Sequence, residues 1–376
     1  MYLFNSLWHV LSVVLIFFIG LLIAYRISRK FYLKASFSIV LYLWHTLFCL
    51  VFVKFALTTS ADATRYFNSN NLDFSSFKFG TRAVELLTSL LRFIDLSYLG
   101  CFLFFNIIGF VGLVSIAGSI NTYTKNSNRQ TKTLGLIFIF LPSMSFWSSA
   151  IGKDAISFMA TGLALWASLN FKRRKLVMVI AIMAMLFVRP HIAAIMLIAI
   201  SMSLLFDKKV GSKMKVGLFL ISLICTSVMI PFALKYAGVN DTAGTEGLSN
   251  YITARQNSNL EGGSSVDIAS MPLPMQMFTY LFRPLPFEAR SITTLFASID
   301  NILLLFILIL GLKHIRRFKA DGSNRAYIWT YSLTTLLILS LTTANLGIAM
   351  RQKWMFVPLL AYLFLSAIAQ HKKHNK

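Results

Sequence analysis

Lys153 and Asp154 stand side by side in "FWSSAIGKDA", residues 146–155, between the apolar runs "TLGLIFIFLP" and "ISFMATGLALWA". A carboxylate can take a proton from an attacking hydroxyl, and an ammonium can hold an oxyanion. Charged groups recur wherever apolar runs end: Asp62 with Arg65 in "ADATRYF", Arg189 with His191 in "LFVRPHIAAIM", Arg255, then Arg283, Glu288 and Arg290 in "FRPLPFEARS", and Arg351 with Lys353 in "NLGIAMRQKW". Arginine offers phosphate oxygens a planar fork and stays charged in any environment. Together these types fit transfer to a hydroxyl from a phosphate-bearing donor. Asp62, Asp154 and Glu288 are the candidate bases. Lys153, Arg189, His191, Arg255, Arg283, Arg290, Arg351 and Lys353 are the candidate contacts to a diphosphate or a glycan.

Each has a plainer reading. Arg65, Arg82 and Arg92 can snorkel to headgroups or solvent. His191 can be a hydrogen-bonded structural residue, and Lys153 with Asp154 a pair that neutralises a short loop. Arg189 can anchor a helix end, but a charge so close to hydrocarbon is expected to face the protein interior and to have a partner. In "RPLPFEAR" the prolines hold two arginines and a glutamate in place. Asp154 also falls near the start of a helix, where unpaired amides favour a carboxylate. It is expected to cap, leaving Lys153 to face an anionic substrate.

The elements that position these residues are helices in a membrane. Of 376 residues 57% are hydrophobic and 14% aromatic, and the mean hydropathy is +0.69, which points to an all-α polytopic membrane protein. A span needs about 20 apolar residues. On that criterion helices fall near 3–25, 36–57, 96–118, 133–149, 155–170, 176–190, 191–206, 216–236, 291–312, 326–344 and 355–370, about eleven in one integral membrane domain over 1–376. Several between 133 and 206, and the last ones, are short for a full crossing. The first run lacks a basic leader and a small-residue cleavage pattern, so it is expected to stay as a helix.

With the N-terminus outside, alternate loops hold 23 of the 36 Lys and Arg with two acids, and the other face holds 13 with 11 acids. The positive-inside rule makes the first set cytoplasmic, together with the C-terminus. Topology thus absorbs most of the net charge of +23, and little is left for nucleic acid to explain. Cys49, Cys101 and Cys225 lie in apolar runs without metal-ligand spacing or His partners, so no disulfide framework, metal or cofactor is expected.

The outer face carries two long loops, about 58–95 and 237–290, and tight turns at "SSAIGKDA", "VRPHIA" and "NLGIAMRQKW". In the first loop Arg82, Glu85, Ser89 and Arg92 recur opposite Val84, Leu87, Leu91 and Ile94, the pattern of an amphipathic surface helix. The second begins polar and Gly-rich and ends among Pro272, Pro274, Pro284 and Pro286 around a short apolar segment.

"LPSMSFWSSAIGKDA", "VRPHIA", "YLFRPLPFEA" and "NLGIAMRQK" together resemble bacterial exopolysaccharide and O-antigen repeat-unit polymerases of the Wzy and EpsG kind, over roughly residues 60 to 360. The resemblance implies a glycosyltransferase of the bacterial inner membrane that joins polyprenyl-diphosphate-linked oligosaccharide repeats on the periplasmic face. Its partners would be that lipid-linked substrate, membrane lipid and a chain-length regulator. An acidic residue of the first outer loop often serves catalysis in the wider group, and "DATRY" stands where it would be, which favours Asp62. The alternatives are a transferase adding one sugar from a polyprenyl-phosphate donor, and a flippase for lipid-linked oligosaccharides. Transporters tend to carry midplane charges and repeated halves, whereas here the helix interiors hold few ionisable residues and no repeat is visible.

Overall fold

The structure, a computed structural model, describes residues 4–59, 61–69, 77–205, 264–315 and 324–374, with scattered positions between 211 and 256. Among the described residues the regular structure is helical, and pairing of the β type is confined to a single bridge between Ser265 and Asn345. Four described helices are long and apolar enough to cross a membrane: Leu7–Phe31, Ala35–Thr58, Tyr98–Thr124 and Ile292–His314. A fifth is added if Leu346–Met355 and Val357–Ala369, bent by 62° from one another, form one span. The chain is an all-helical membrane protein. Most of the predicted helix 216–236, and the polar half of the second long loop with Arg255, lie outside the described residues.

Two compact units divide the chain, Met1–Ala167 with Arg174–Arg189 and Ala369–Lys376 as one, Ser168–Arg173 with Pro190–Ile368 as the other. In unit 1, α1 (Leu7–Ser28), α2 (Ala35–Thr58) and α5 (Tyr98–Thr124) pack on one another. α1 leaves Leu7, Leu15, Phe18 and Leu22 exposed, the surface that a hydrocarbon solvent covers. Two short helices of the first loop, α3 (Asp62–Asn68) and α4 (Thr81–Phe93), pack together, and α4 also meets α9 (Lys175–Val188).

The single helix expected over 133–149 is divided in two, α6 (Arg129–Ile139) and α7 (Pro142–Ser148). Pro142 has no amide to continue the ladder and drives Leu141 to extended backbone, φ −61° and ψ 125°, so the first helix stops and the second starts with proline in its first turn. α8 (Lys153–Ser168) follows. Its register against α5 depends on glycine at both faces: a side chain on Gly112 would strike the backbone of Phe158 and Met159, and one on Gly162 the backbone of Gly112. Such close approach is how helices gain dispersion contact where lipid supplies no hydrophobic drive.

α4 forms as the sequence pattern indicates, but its buried face is rotated. Ser89 is inside, donating to the Ser69 carbonyl at 3.0 Å, and Ile94 beyond its end is exposed. Arg92 turns back to the Phe67 carbonyl at 2.8 Å. Polar groups that close the α3–α4 turn therefore take inner positions that an apolar stripe would assign elsewhere.

In unit 2, α10 (Pro190–Leu205) packs on α13 (Arg325–Thr342). α11 (Leu273–Phe282) packs on α12 (Ile292–His314), on α13 and on α14 (Leu346–Gln352). α15 (Val357–His374) follows, its residues from Ala369 on belonging to unit 1. Asn345 caps α14 by accepting from the amides of Gly347 at 2.8 Å and Ile348 at 3.2 Å. Beside this cap the 264–266 segment pairs with 344–346 through Val266 to Ala344, 2.9 Å, and Leu346 to Ser264, 3.0 Å.

Candidate functional site

In unit 1 the candidate residues gather at the start of α8. Gly80, at φ 93°, adopts a left-handed backbone that L side chains resist and donates its amide to the Phe187 carbonyl at 2.9 Å, which ties the start of α4 to the end of α9. Thr81, the first residue of α4, is thereby presented to α8, and the Lys153 ammonium donates to its hydroxyl at 3.0 Å. Asp154, in the first turn of α8, meets Arg189 at the end of α9, with Nη2 and Oδ1 2.5 Å apart. The Arg189 side chain is 8% exposed and that of Asp154 19%, so the pair is largely removed from water. Among the described residues, Arg189 Nε is buried without a hydrogen-bond partner.

Asp62 opens α3 and pairs with Arg65 at 3.3 Å across an exposed helical step. Its carboxylate is 41% exposed, so water reaches it. One turn on, Tyr66 is 2% exposed, and a side chain at Gly152 would lie against its ring. Burial first, then the Asp62 and Asp154 carboxylates, push the Tyr66 phenol up to about 12. The phenol therefore stays protonated and able to donate.

Unit 2 holds the second group of candidates. Arg283 follows α11, and its guanidinium grips Glu288 by Nε at 2.9 and 3.2 Å and by Nη2 at 2.5 Å, while the Leu285 amide donates to the same carboxylate at 2.7 Å. The Arg283 guanidinium and the Leu285 amide hold the Glu288 carboxyl below its ordinary value. A carboxylate so satisfied is a poor proton acceptor and a good clamp. The Pro284 carbonyl, just beyond a cis Arg283–Pro284 bond, accepts from Asn301 Nδ2 at 3.0 Å. The Oδ1 of Asn301 accepts from the Lys353 ammonium. Lys353, Asn301 and Asp300 are each fully buried.

The structure therefore brings Lys153, Asp154 and Arg189 together, while Asp62 stands one helical turn from Tyr66, whose ring lies beside Gly152. Arg283 and Glu288 form their own clamp, and Lys353 lies inside unit 2, holding Asn301. Arg351 is partly buried on α14, His191 is partly buried on the first turn of α10, and Arg290 is exposed, its amide donating to Thr294 at 3.1 Å. Sequence reasoning passed over Tyr66, Thr81 and Asn301. Tyr66 leaves a trace, since it follows Asp62 at the spacing that puts two residues on one helix face. Thr81 and Asn301 leave none.

Among the described residues no three His, Cys, Asp or Glu side chains gather as metal ligands do. Fold and site thus define an all-helical membrane protein with locked ion pairs at helix ends. No family model, curated protein or solved structure matches the chain.

Proposed function

We propose that the protein is a glycosyltransferase of the bacterial inner membrane that polymerises polyprenyl-diphosphate-linked oligosaccharide repeat units on the periplasmic face, its helices crossing about eleven times. The observation that supports this is that a water-reached carboxylate, Asp62, stands one helical turn from Tyr66, whose ring lies beside Gly152 just before α8, where two cations, Lys153 and Arg189, are held by partners from separate helices. In this reading a sugar hydroxyl of the next lipid-linked repeat attacks the anomeric carbon that joins the growing glycan to its polyprenyl diphosphate, and the bond from that carbon to the diphosphate oxygen breaks. Asp62 takes the hydroxyl proton, and Lys153 meets the negative charge gathering on the departing diphosphate. Arg189 acts through Asp154, fixing the end of α8 on which Lys153 stands. Within unit 2, and separately from this group, Arg283, kept in one orientation by Glu288, and Arg351 are candidate contacts to phosphate or glycan.

Product length tests the proposal. In membranes supplied with lipid-linked repeats, Asp62→Asn and Arg283→Ala are expected to abolish the long-chain ladder and leave single-repeat product. Normal ladders from both variants would sink the assignment. Addition of one sugar by the unaltered protein would instead select a polyprenyl-phosphate-dependent transferase, and transbilayer movement with no new covalent bond would select a flippase.

A further inference from the structure

Away from these charged groups, unit 1 contains a cleft of about 690 Å³ where α1 gives way to α2 and α5 to α6. Its rim carries Lys34, Lys125 and Lys132, one from each of three elements, and none of its lining residues is acidic. Its wall is apolar, with Phe37, Leu136 and Ile139. The rim is built rather than loose. Tyr32 sits in left-handed backbone at φ 55°, and Asn121 Nδ2 donates to its carbonyl at 3.3 Å, tying the α1–α2 turn to α5. Gly135 lets α6 close against Ile120 and Thr124 of α5. Lys34 is also the residue before α2, a 24-residue helix whose first amides no side chain caps, so the partial positive charge of the helix end adds to three ammonium groups.

Three cations with no acidic residue among the cleft's lining, above an apolar wall, match a molecule with an anionic head and a hydrocarbon tail. We propose that this cleft is a binding site for an anionic glycerophospholipid, its phosphodiester among Lys34, Lys125 and Lys132 and an acyl chain along Phe37, Leu136 and Ile139. A free phosphate would leave the wall unused, and a zwitterionic lipid would bring its own cation to a rim that lacks anions. The site is independent of the proposed transferase chemistry and stands whether or not that reading holds.

The full chain, purified in a mild detergent, is titrated with phosphatidylglycerol, phosphatidylcholine or inorganic phosphate, and bound lipid is counted by native mass spectrometry. Phosphatidylglycerol should bind selectively, undisturbed by inorganic phosphate. One lysine near an anionic lipid changes affinity about fivefold, so Lys34→Gln, Lys125→Gln and Lys132→Gln combined should weaken binding about a hundredfold. Removing the exposed Lys172, Arg173 and Lys175, the same charge between α8 and the first residue of α9, should change it less than about twofold. Leu136, half-exposed in the wall, gives a second variant that leaves the three lysines in place: Leu136→Glu should abolish binding. Equal loss in the two triple variants, equal binding of phosphatidylcholine, or displacement by inorganic phosphate would each overturn the proposal.

Discussion

Arg189 and Asp154 face each other at 2.5 Å across the ends of α9 and α8, 35 residues apart in sequence and both largely withdrawn from water. A charge buried that far is tolerable only while its partner stays. Asp154→Ala should therefore destabilise the protein in detergent by about 3 to 5 kcal/mol, whereas the double variant Asp154→Leu with Arg189→Met should recover much of that. Thermal unfolding of the single and double variants measures it. If the pair also positions Lys153, the double variant recovers stability without recovering polymer.

Glu288 predicts a pH dependence of definite sign. Its folded value lies below the ordinary 4.5, so the unfolded chain binds the proton more readily. The Arg283–Glu288 clamp then contributes its full stability above about pH 5 and loses it as pH falls through the depressed value. Thermal stability should decline on the acid side, and Glu288→Gln should flatten that limb at the cost of lower stability near neutrality. An unchanged acid limb in the variant would remove the clamp from the account.

The long helices were legible because more than twenty apolar residues in a row have few other uses. α1, α2, α5 and α12 fall within a few residues of the spans read from hydropathy. The local rule that failed was Pro142, whose helix-starting role was hidden within a continuous apolar run. Burial also showed that Arg189 needed a partner, but chain order alone gave no reason to choose Asp154 over Asp62 or Glu288. Lys353 looked like its neighbour Arg351, both being cations at one helix end. Only packing separates a side chain turned inward to Asn301 from one that is partly exposed.

That inward turn makes Lys353 and Asn301 a coupled unit. Lys353 anchors Asn301, and Asn301 in turn holds the Pro284 carbonyl beside Arg283. Lys353→Met and Asn301→Leu should each destabilise unit 2, and their effects should be strongly non-additive, with a coupling of about 0.5 to 3 kcal/mol in a double-mutant cycle. Additive losses would mean that the two side chains act separately.

A further prediction concerns His45, which hydropathy alone treats as an interruption of α2. Its Nδ1 lies 2.6 Å from Asn106 Oδ1 on α5 and its Nε2 2.9 Å from Ser148 Oγ at the end of α7. Asn106 Nδ2 donates onward to Thr46 at 2.9 Å, so its oxygen is the atom that accepts from the imidazole. All four side chains are buried, and together they join α2, α5 and the segment that leads into "SSAIGKDA". His45→Leu leaves Asn106 without its donor, at a cost of about 1 to 3 kcal/mol. Pairing it with Asn106→Leu removes both polar groups and should cost less than the sum of the single changes. Because Ser148 leads into the turn that carries Lys153, His45→Leu should also shorten product chains. Full-length product from a destabilised His45→Leu protein would confine the network to folding.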